Sequence, residues 1–459
     1  MSRSYERVPI EVWKYILDAV IDNTLLLSTN PFEFDWQPSL VLEDWNNDAT
    51  SYCNNLTELS ERHTGCSAKC QFRCVWNTLR LVCHSWKQFA DSPAVKNRHL
   101  QLDLRVSIEA SRMEDILLAK RLRILSFSKF LIEFCGSLEG AIEGGAVFNS
   151  EIILDTGGWF TNQIIGTHPS SFPYLTTLSL EPSDDAQTTI PPEKLNQVLR
   201  SLPSLRYFLF QSDDQYEFSK DGILQLPNLR TLSISSGNPL QDLHLSEWKL
   251  PSLTHLRLWG LPLRTSDSSP YGLVDYLQAH GKSLRYLSIK IQSSPEVLPP
   301  YFQIWLDCPR VRHLEVPFSF LFAGGHFVVP PKRHPVERLV NTLDREISYG
   351  VQVPVNGFLG HFARFCLAAR SLRCITESHL WVHALTHVEP VSGGAESDEQ
   401  TSPMAVSSQL TYILAHKIEA YGIRFEDKIG LSLKEGRELW AQTQTKRKLP
   451  VNDPPVLLL

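Results

Sequence analysis

An excess of positive charge is the first thing this chain lacks: 44 lysines and arginines stand against 50 aspartates and glutamates, a formal net charge of −6. With no basic surplus to neutralise phosphates, nucleic acid is not an expected partner. Long apolar runs are missing too, and the final Val456-Leu457-Leu458-Leu459 is too short to span a bilayer. Met1 to Arg7 lead straight into an amphipathic stretch without the apolar core of a secretory signal, so neither membrane nor export is expected. The nine cysteines are odd in number and have no paired rhythm, which argues against a disulfide framework. Reduced thiols inside the cell, in cytoplasm and/or nucleus, are the expectation.

Catalytic signatures are equally scarce. Gly144-Gly145 and Gly324-Gly325 lack both the flanking pattern and the lysine of a phosphate-cradling loop. There is no Gly-x-Ser-x-Gly elbow and no His-Glu-x-x-His pair. His326 and His334 lie near glycines and prolines and read as exposed loop histidines. Nothing sets a particular cysteine beside a particular histidine, so neither an enzyme nor a cofactor is expected. What remains is ordinary for a folded protein: 42% hydrophobic and 20% charged residues over 459 positions. That length holds two or three domains, or one elongated repeat body.

Residues 8–17, Val-Pro-Ile-Glu-Val-Trp-Lys-Tyr-Ile-Leu, predict a helix. Pro9 suits the first turn, where its fixed φ helps and its missing N–H costs nothing. Glu11 falls near the positive end of the helix dipole. Val8, Val12, Ile16 and Val20 recur at steps of four, widened by Trp13 and Leu17 into one apolar face. So short a helix needs a packing partner. A second stretch supplies one, with Val75, Leu79, Val82, Trp86 and Phe89 at alternating steps of four and three.

Taken together, Val8-Pro9-x-Glu11-Val12-Trp13 and Leu79-Arg80-Leu81-Val82-Cys83-His84-Ser85-Trp86 resemble the two halves of an F-box. Val8 stands where leucine is commoner in that family, and the halves, usually joined by a few residues, are here separated by residues 24–74. The resemblance covers about residues 8–20 and 77–92. It implies a helical domain over 1–92 in which Val8, Pro9, Val12, Trp13, Ile16, Leu17, Leu81, Val82 and Trp86 dock onto a Skp-type adaptor and, through it, a cullin.

The intervening segment holds Phe32, Phe34, Trp36 and Trp45 among turn-forming residues, enough apolar area to dock rather than remain disordered. Cys66, Cys70 and Cys74 follow at steps of four, preceded by Cys53 and His63. Thiolates and imidazole suit zinc, but no Cys-x-x-Cys knuckle occurs. Small buried cysteines on a packing face are the favoured alternative to a metal module.

After Pro93 the pattern changes to that of strands, beginning with Leu100, Leu102 and Leu104 at period two. One phrase then returns: Leu122-Arg-Ile-Leu125-Ser-Phe127, Leu175-Thr-Thr-Leu178-Ser-Leu180, Leu205-Arg-Tyr-Phe208-Leu-Phe210 and Leu229-Arg-Thr-Leu232-Ser-Ile234. It continues as Leu253-Thr-His-Leu256-Arg-Leu258, Leu284-Arg-Tyr-Leu287-Ser-Ile289 and Val311-Arg-His-Leu314-Glu-Val316. From Leu175 onward the intervals are 30, 24, 24, 31 and 27 residues. This phrase resembles a leucine-rich repeat, whose units each give one parallel strand and a return segment and must stack to bury their apolar edges. The asparagine that normally follows the motif is absent and the spacing is uneven, so the resemblance implies an irregular solenoid over 98–390.

Ile152-Ile153-Leu154 reads as a degenerate strand, and Val336-Glu-Arg-Leu339 as a further copy. Return helices are expected at 193–202, 272–280 and 301–307, and another helix at 358–369. Residues 391–403 read as a flexible acidic loop, and 404–459 as a cap and tail, with Ile423-Arg424-Phe425 as a closing strand. Lys446-Arg447-Lys448 is a nuclear-entry signal or, the favoured reading, a solvated tail.

Strand parity places the fourth and sixth residues of each phrase inward, so the third, fifth and seventh are expected to face solvent. That row contains Tyr207, Leu209, His255, Arg257, Trp259, Tyr286, Lys290, His313 and Glu315, a target-binding surface of the composition that dominates interfaces. Loops at 262–270 and 391–403 are long enough to cover it instead, and both readings stand at this point.

The expected fold is therefore α/β: a helical F-box with a long insertion, then an irregular leucine-rich-repeat solenoid. The resemblance implies a non-catalytic substrate receptor of a Skp–cullin–F-box ubiquitin ligase, holding an unidentified protein target. A repeat scaffold unconnected with ubiquitination is the alternative, with the N-terminal helix merely capping the first open edge.

Overall fold

The computed structural model describes residues 12, 84–92, 99–103, 113–125, 138–156, 158, 160–181, 190–212, 223–236, 245–261, 271–291, 303–317, 321–323, 326–341, 364–376, 418–426, 432, 434 and 435. The chain divides into two compact units, Met1–Arg257 and Leu258–Leu459. The fold is α/β, built from parallel strands joined by short helices and turns.

In the first unit, α1 (His84–Ala90) is closed by backbone bonds from Asp91 and Ser92 back to Lys87 and Phe89. Strands β1 (His99–Asp103), β2 (Arg121–Leu125), β3 (Ile152–Thr156), β4 (Thr177–Glu181), β5 (Tyr207–Ser212) and β6 (Thr231–Ser236) follow. Each pairs in parallel with the next, in sequence order. Helix α2 (Met113–Leu118) precedes β2. Helix α3 (Pro192–Arg200) lies between β4 and β5, with Pro192 at its start and Leu195, Val198 and Leu199 buried on one face.

The pairing of β3 fixes the register of the whole run. Leu122, Ile153, Leu178, Phe208 and Leu232 stand in one line and are fully enclosed. Ile124, Asp155, Leu180, Phe210 and Ile234 form the line two residues on. Leu122 thus occupies the fourth position of the phrase rather than the first. The sequence offset is three residues, because Leu122 and Leu125 imitate the opening Leu-x-x-Leu while the true first position is the small, buried Ala119. The degenerate strand at 152–154 is a full member of the sheet. Its phrase is hidden because buried Ser150 replaces the first leucine and Asp155 the sixth-position apolar residue. Phe148 stacks on Phe172 at 4.3 Å between centroids, and Phe160 meets both edge-on.

One hydrogen-bond device joins successive strands. The carbonyl of the second residue of each phrase accepts two N–H groups from the next strand's start: Lys120 from Glu151 and Ile152, Glu151 from Thr176 and Thr177, Thr176 from Arg206 and Tyr207. Arg206 accepts likewise from Arg230 and Thr231, and Arg230 from Thr254 and His255. Strand β7 (His255–Leu261) straddles the division between the units.

The second unit repeats the scheme. Helix α4 (Tyr271–His280) leads to β8 (Tyr286–Ile291), and α5 (Ile304–Asp307) to β9 (His313–Val316). A small antiparallel ribbon, β10 (Phe322–Ala323) with β11 (His326–Phe327), is followed by β12 (Arg338–Asn341), β13 (Cys374–Thr376) and β14 (Arg424–Glu426). Strands β8, β9, β12, β13 and β14 pair in parallel in that order. Leu287, Leu314, Leu339, Ile375 and Phe425 share the buried line. Residues 336–339 thus stand in register with the recurring phrase, and β14 overlaps the strand expected at 423–425. Of the helix expected at 358–369, residues 364–368 are helical.

Close packing sets one residue in this unit. A Cβ on Gly281 would run into the carbonyl oxygen of Asp307 and come within 2.9 Å of Cys308 Sγ, so only glycine lets the turn after α4 pass α5.

Candidate binding surfaces

Every fourth-position residue named above is buried, as parity requires, but the third and fifth positions depart from the solvent exposure expected of them. Tyr207, Leu209, Arg257, Tyr286 and Glu315 are all under a tenth exposed. Alternation decides which face a side chain takes, and neighbours in the ladder decide how much of it water reaches. Tyr207 stands between Thr177 and Thr231, and Leu209 between Ser179 and Ser233, at the roughly 4.8 Å spacing of paired strands. Tyr286 has the His313 ring edge-on at 6.4 Å.

The half-buried residues of that row are His255 in the first unit and Trp259, Lys290 and His313 in the second. Trp259 donates its indole N–H to Ser288 Oγ at 3.0 Å, while Lys290 Nζ sits 5.1 Å from the indole centroid in a cation–π contact. These bonds fix an aromatic plate with a charge beside it.

The same face carries a polar network over β12, β13 and β14. Arg338 donates to Glu426 Oε1 and, at 3.0 Å, to Thr376 Oγ1; Thr376 in turn donates to Glu426 Oε1 at 3.0 Å. Arg424 Nε holds the other Glu426 oxygen at 3.0 Å and extends the chain to Glu435 at 3.2 Å. The Glu426 and Arg338 side chains are only 7% and 12% exposed, so this is a nearly desolvated pair. Arg338, Thr376 and Glu426 lie 38 to 88 residues apart, and no local pattern in the sequence announces them.

A third feature runs along the strand starts of the first unit. A groove of about 470 Å³ is lined by Tyr174, Thr176, Ser204, Arg206, Asn228 and Arg230, with Glu151 and Ser252 at its ends. Arg206 and Arg230 are exposed, and neither forms an ion pair among the described residues. Thr176 Oγ1 donates to the Glu151 carbonyl at 3.1 Å, Asn228 Nδ2 to the Pro203 carbonyl at 2.8 Å, and Ser252 Oγ to the Pro227 carbonyl. Sequence reasoning directed binding to positions three, five and seven and passed over position two. The signal was legible, since arginine recurs there as Arg206, Arg230, Arg285, Arg312 and Arg373.

Of the residues expected to dock an adaptor, Val12 is helical and 45% exposed, and Trp86 on α1 is half-buried. Val8, Pro9, Trp13, Ile16, Leu17, Leu81 and Val82 lie outside the described residues, as do Cys53, His63, Cys66, Cys70 and Cys74.

Titratable groups in the interior are structural in setting. Asp155 is fully buried, and burial raises its pKa to about 6 against the opposing pull of the Thr161 N–H, which donates to Oδ2 at 2.6 Å. His334 is buried, not an exposed loop residue: Trp305 lies edge-on at 4.8 Å, and burial pushes its pKa down. Val336 N–H donates to Nδ1 at 3.3 Å, so Nε2 carries the hydrogen and donates to the Cys308 carbonyl at 3.1 Å. Burial drives the thiols of Cys366 and Cys374 up to about 12 and about 11, and that of Cys308 up as well. None of the three is a thiolate at neutral pH, the form a nucleophile or metal ligand requires. Among the described residues no cluster of His, Cys, Asp and Glu could hold a metal ion, and no helix is long and apolar enough to cross a membrane.

No protein-family model matches the chain, and no curated protein matches it.

Proposed function

We propose that this protein is a non-catalytic substrate receptor of a Skp–cullin–F-box ubiquitin ligase, with an F-box at its N-terminus and a leucine-rich-repeat solenoid behind it. The observation that carries the reading is the two-part motif, Val8-Pro9-x-Glu11-Val12-Trp13 and Leu81-Val82-Cys83-x-x-Trp86. Val12 leaves nearly half its surface in water, and Trp86 is half-buried, which suits apolar side chains of a docking face. The repeat half of the reading is supported by parallel strands in sequence order within each unit, tied by the same doubly accepting carbonyl. The receptor makes and breaks no bond itself; it raises the effective concentration of a target beside the transferring enzyme. For target contact the half-buried Trp259, Lys290 and His313 of the second unit are the proposed residues.

Affinity purification of the chain with and without Pro9→Ala/Trp13→Ala tests the adaptor half. The wild type should bring down a Skp-type adaptor and the double variant should not, with far-ultraviolet circular dichroism unchanged. An adaptor retained by the variant would favour the scaffold reading, in which the N-terminal helix only caps the repeats.

A further inference from the structure

The groove along the strand starts of β4, β5 and β6 is absorbed by none of the foregoing. We infer that it is a docking surface for an acidic peptide segment of a partner protein, gripped by Arg206 and Arg230. The placement comes from the backbone. Each second-position carbonyl accepts the same pair of N–H groups, so successive second-position side chains repeat at the strand spacing of roughly 4.8 Å. Arg206 and Arg230 are consecutive members of that row and bring two guanidinium groups to one groove.

The rest of the lining sharpens the preference for anions. The hydroxyl of Thr176, the amide of Asn228 and the hydroxyl of Ser252 already donate to carbonyls of the preceding turn. Those bonds hold the walls and engage both hydroxyls and one of the two Asn228 N–H groups. The donors left for a ligand are the two guanidinium groups, the second N–H of the Asn228 amide and the hydroxyls of Ser204 and Tyr174, and Tyr174 is more than half exposed. The one carboxylate of the lining, Glu151, is offset by Lys120 at 3.8 Å. A guanidinium fork matches a carboxylate in two parallel hydrogen bonds, and a peptide with neighbouring acidic residues supplies one carboxylate to each arginine. The overall charge of −6 does not cancel this, because the screening length in physiological salt is about 8 Å. A nucleic acid needs a wider basic field than two neighbouring arginines supply.

The inference needs no adaptor, so its test uses the full chain alone and fails or succeeds separately from the ligase reading. The probe is a fluorescein-labelled oligoglutamate peptide, followed by fluorescence anisotropy. Wild-type protein should bind it, with affinity falling as salt rises. Arg206→Glu/Arg230→Glu should weaken binding by roughly ten-fold or more, since two attractions become repulsions. Arg285→Glu, at an exposed second position outside the groove, should leave it unchanged. If the double reversal does not fold by circular dichroism, Arg206→Ala/Arg230→Ala replaces it with the same expected direction. No binding by the wild type, an equal loss in Arg285→Glu, or tighter binding of a labelled single-stranded oligonucleotide of equal length would each overturn the proposal.

Discussion

Asp155 occupies a sixth-position site where neighbouring strands place Ile124 and Leu180. Its carboxyl keeps a proton up to pH about 6 in the folded chain but only to 3.8 at its ordinary value. Between those values the native state binds more protons than the unfolded one, so its contribution to stability falls as pH rises. The change amounts to about 3 kcal/mol across the window. Asp155→Asn removes the titration while retaining an oxygen for the Thr161 N–H. In urea titrations the stability difference between wild type and variant should therefore move by about 2 kcal/mol between pH 4 and pH 7, with wild type losing ground as pH rises. A difference flat with pH would contradict the assigned environment. His334 works in the opposite sense: its lowered pKa favours the neutral ring, and protonation would set an Nδ1–H against the Val336 N–H.

At the scale of elements, β14 carries a side chain on which three bonds from neighbouring side chains converge. Its carboxylate Glu426 faces two arginines and a threonine with little water present. Glu426→Ala leaves Arg338 largely buried without its counter-charge, which costs roughly 3–5 kcal/mol. Hydrogen exchange should show the amides of β14 and β13 losing protection first, and a loss below about 1 kcal/mol would mean the pair is solvated. This network was illegible in the sequence because its partners come from three strands far apart in the chain. Local strand character was legible: the apolar residues at positions four and six have period two and are buried wherever described. Exposure of the alternate residues was not, since Tyr207 and Leu209 are covered by in-register neighbours that no single strand's text reveals. The offset at Leu122 has a similar origin, because a small residue, Ala119, takes the leucine's place and the next Leu-x-x-Leu looks better than the true one.

Over the whole chain, two classes of surface have different standing in the sequence. The motif proposed to dock an adaptor is read from residue types at fixed spacing, whereas the strand-start groove needed the fold to bring Arg206 and Arg230 side by side. Both belong to an account in which the protein holds partners and performs no reaction. The central claim is that an apolar face at the N-terminus is completed by another protein. It is tested most directly by co-expressing the chain with a Skp-type adaptor and measuring the mass of the purified species by light scattering. The account predicts an equimolar complex whose affinity, measured by titration calorimetry, drops at least roughly ten-fold with Trp86→Ala, in line with a buried aromatic anchor. A chain that stays stable and monomeric beside the adaptor, with no heat of binding, would contradict it.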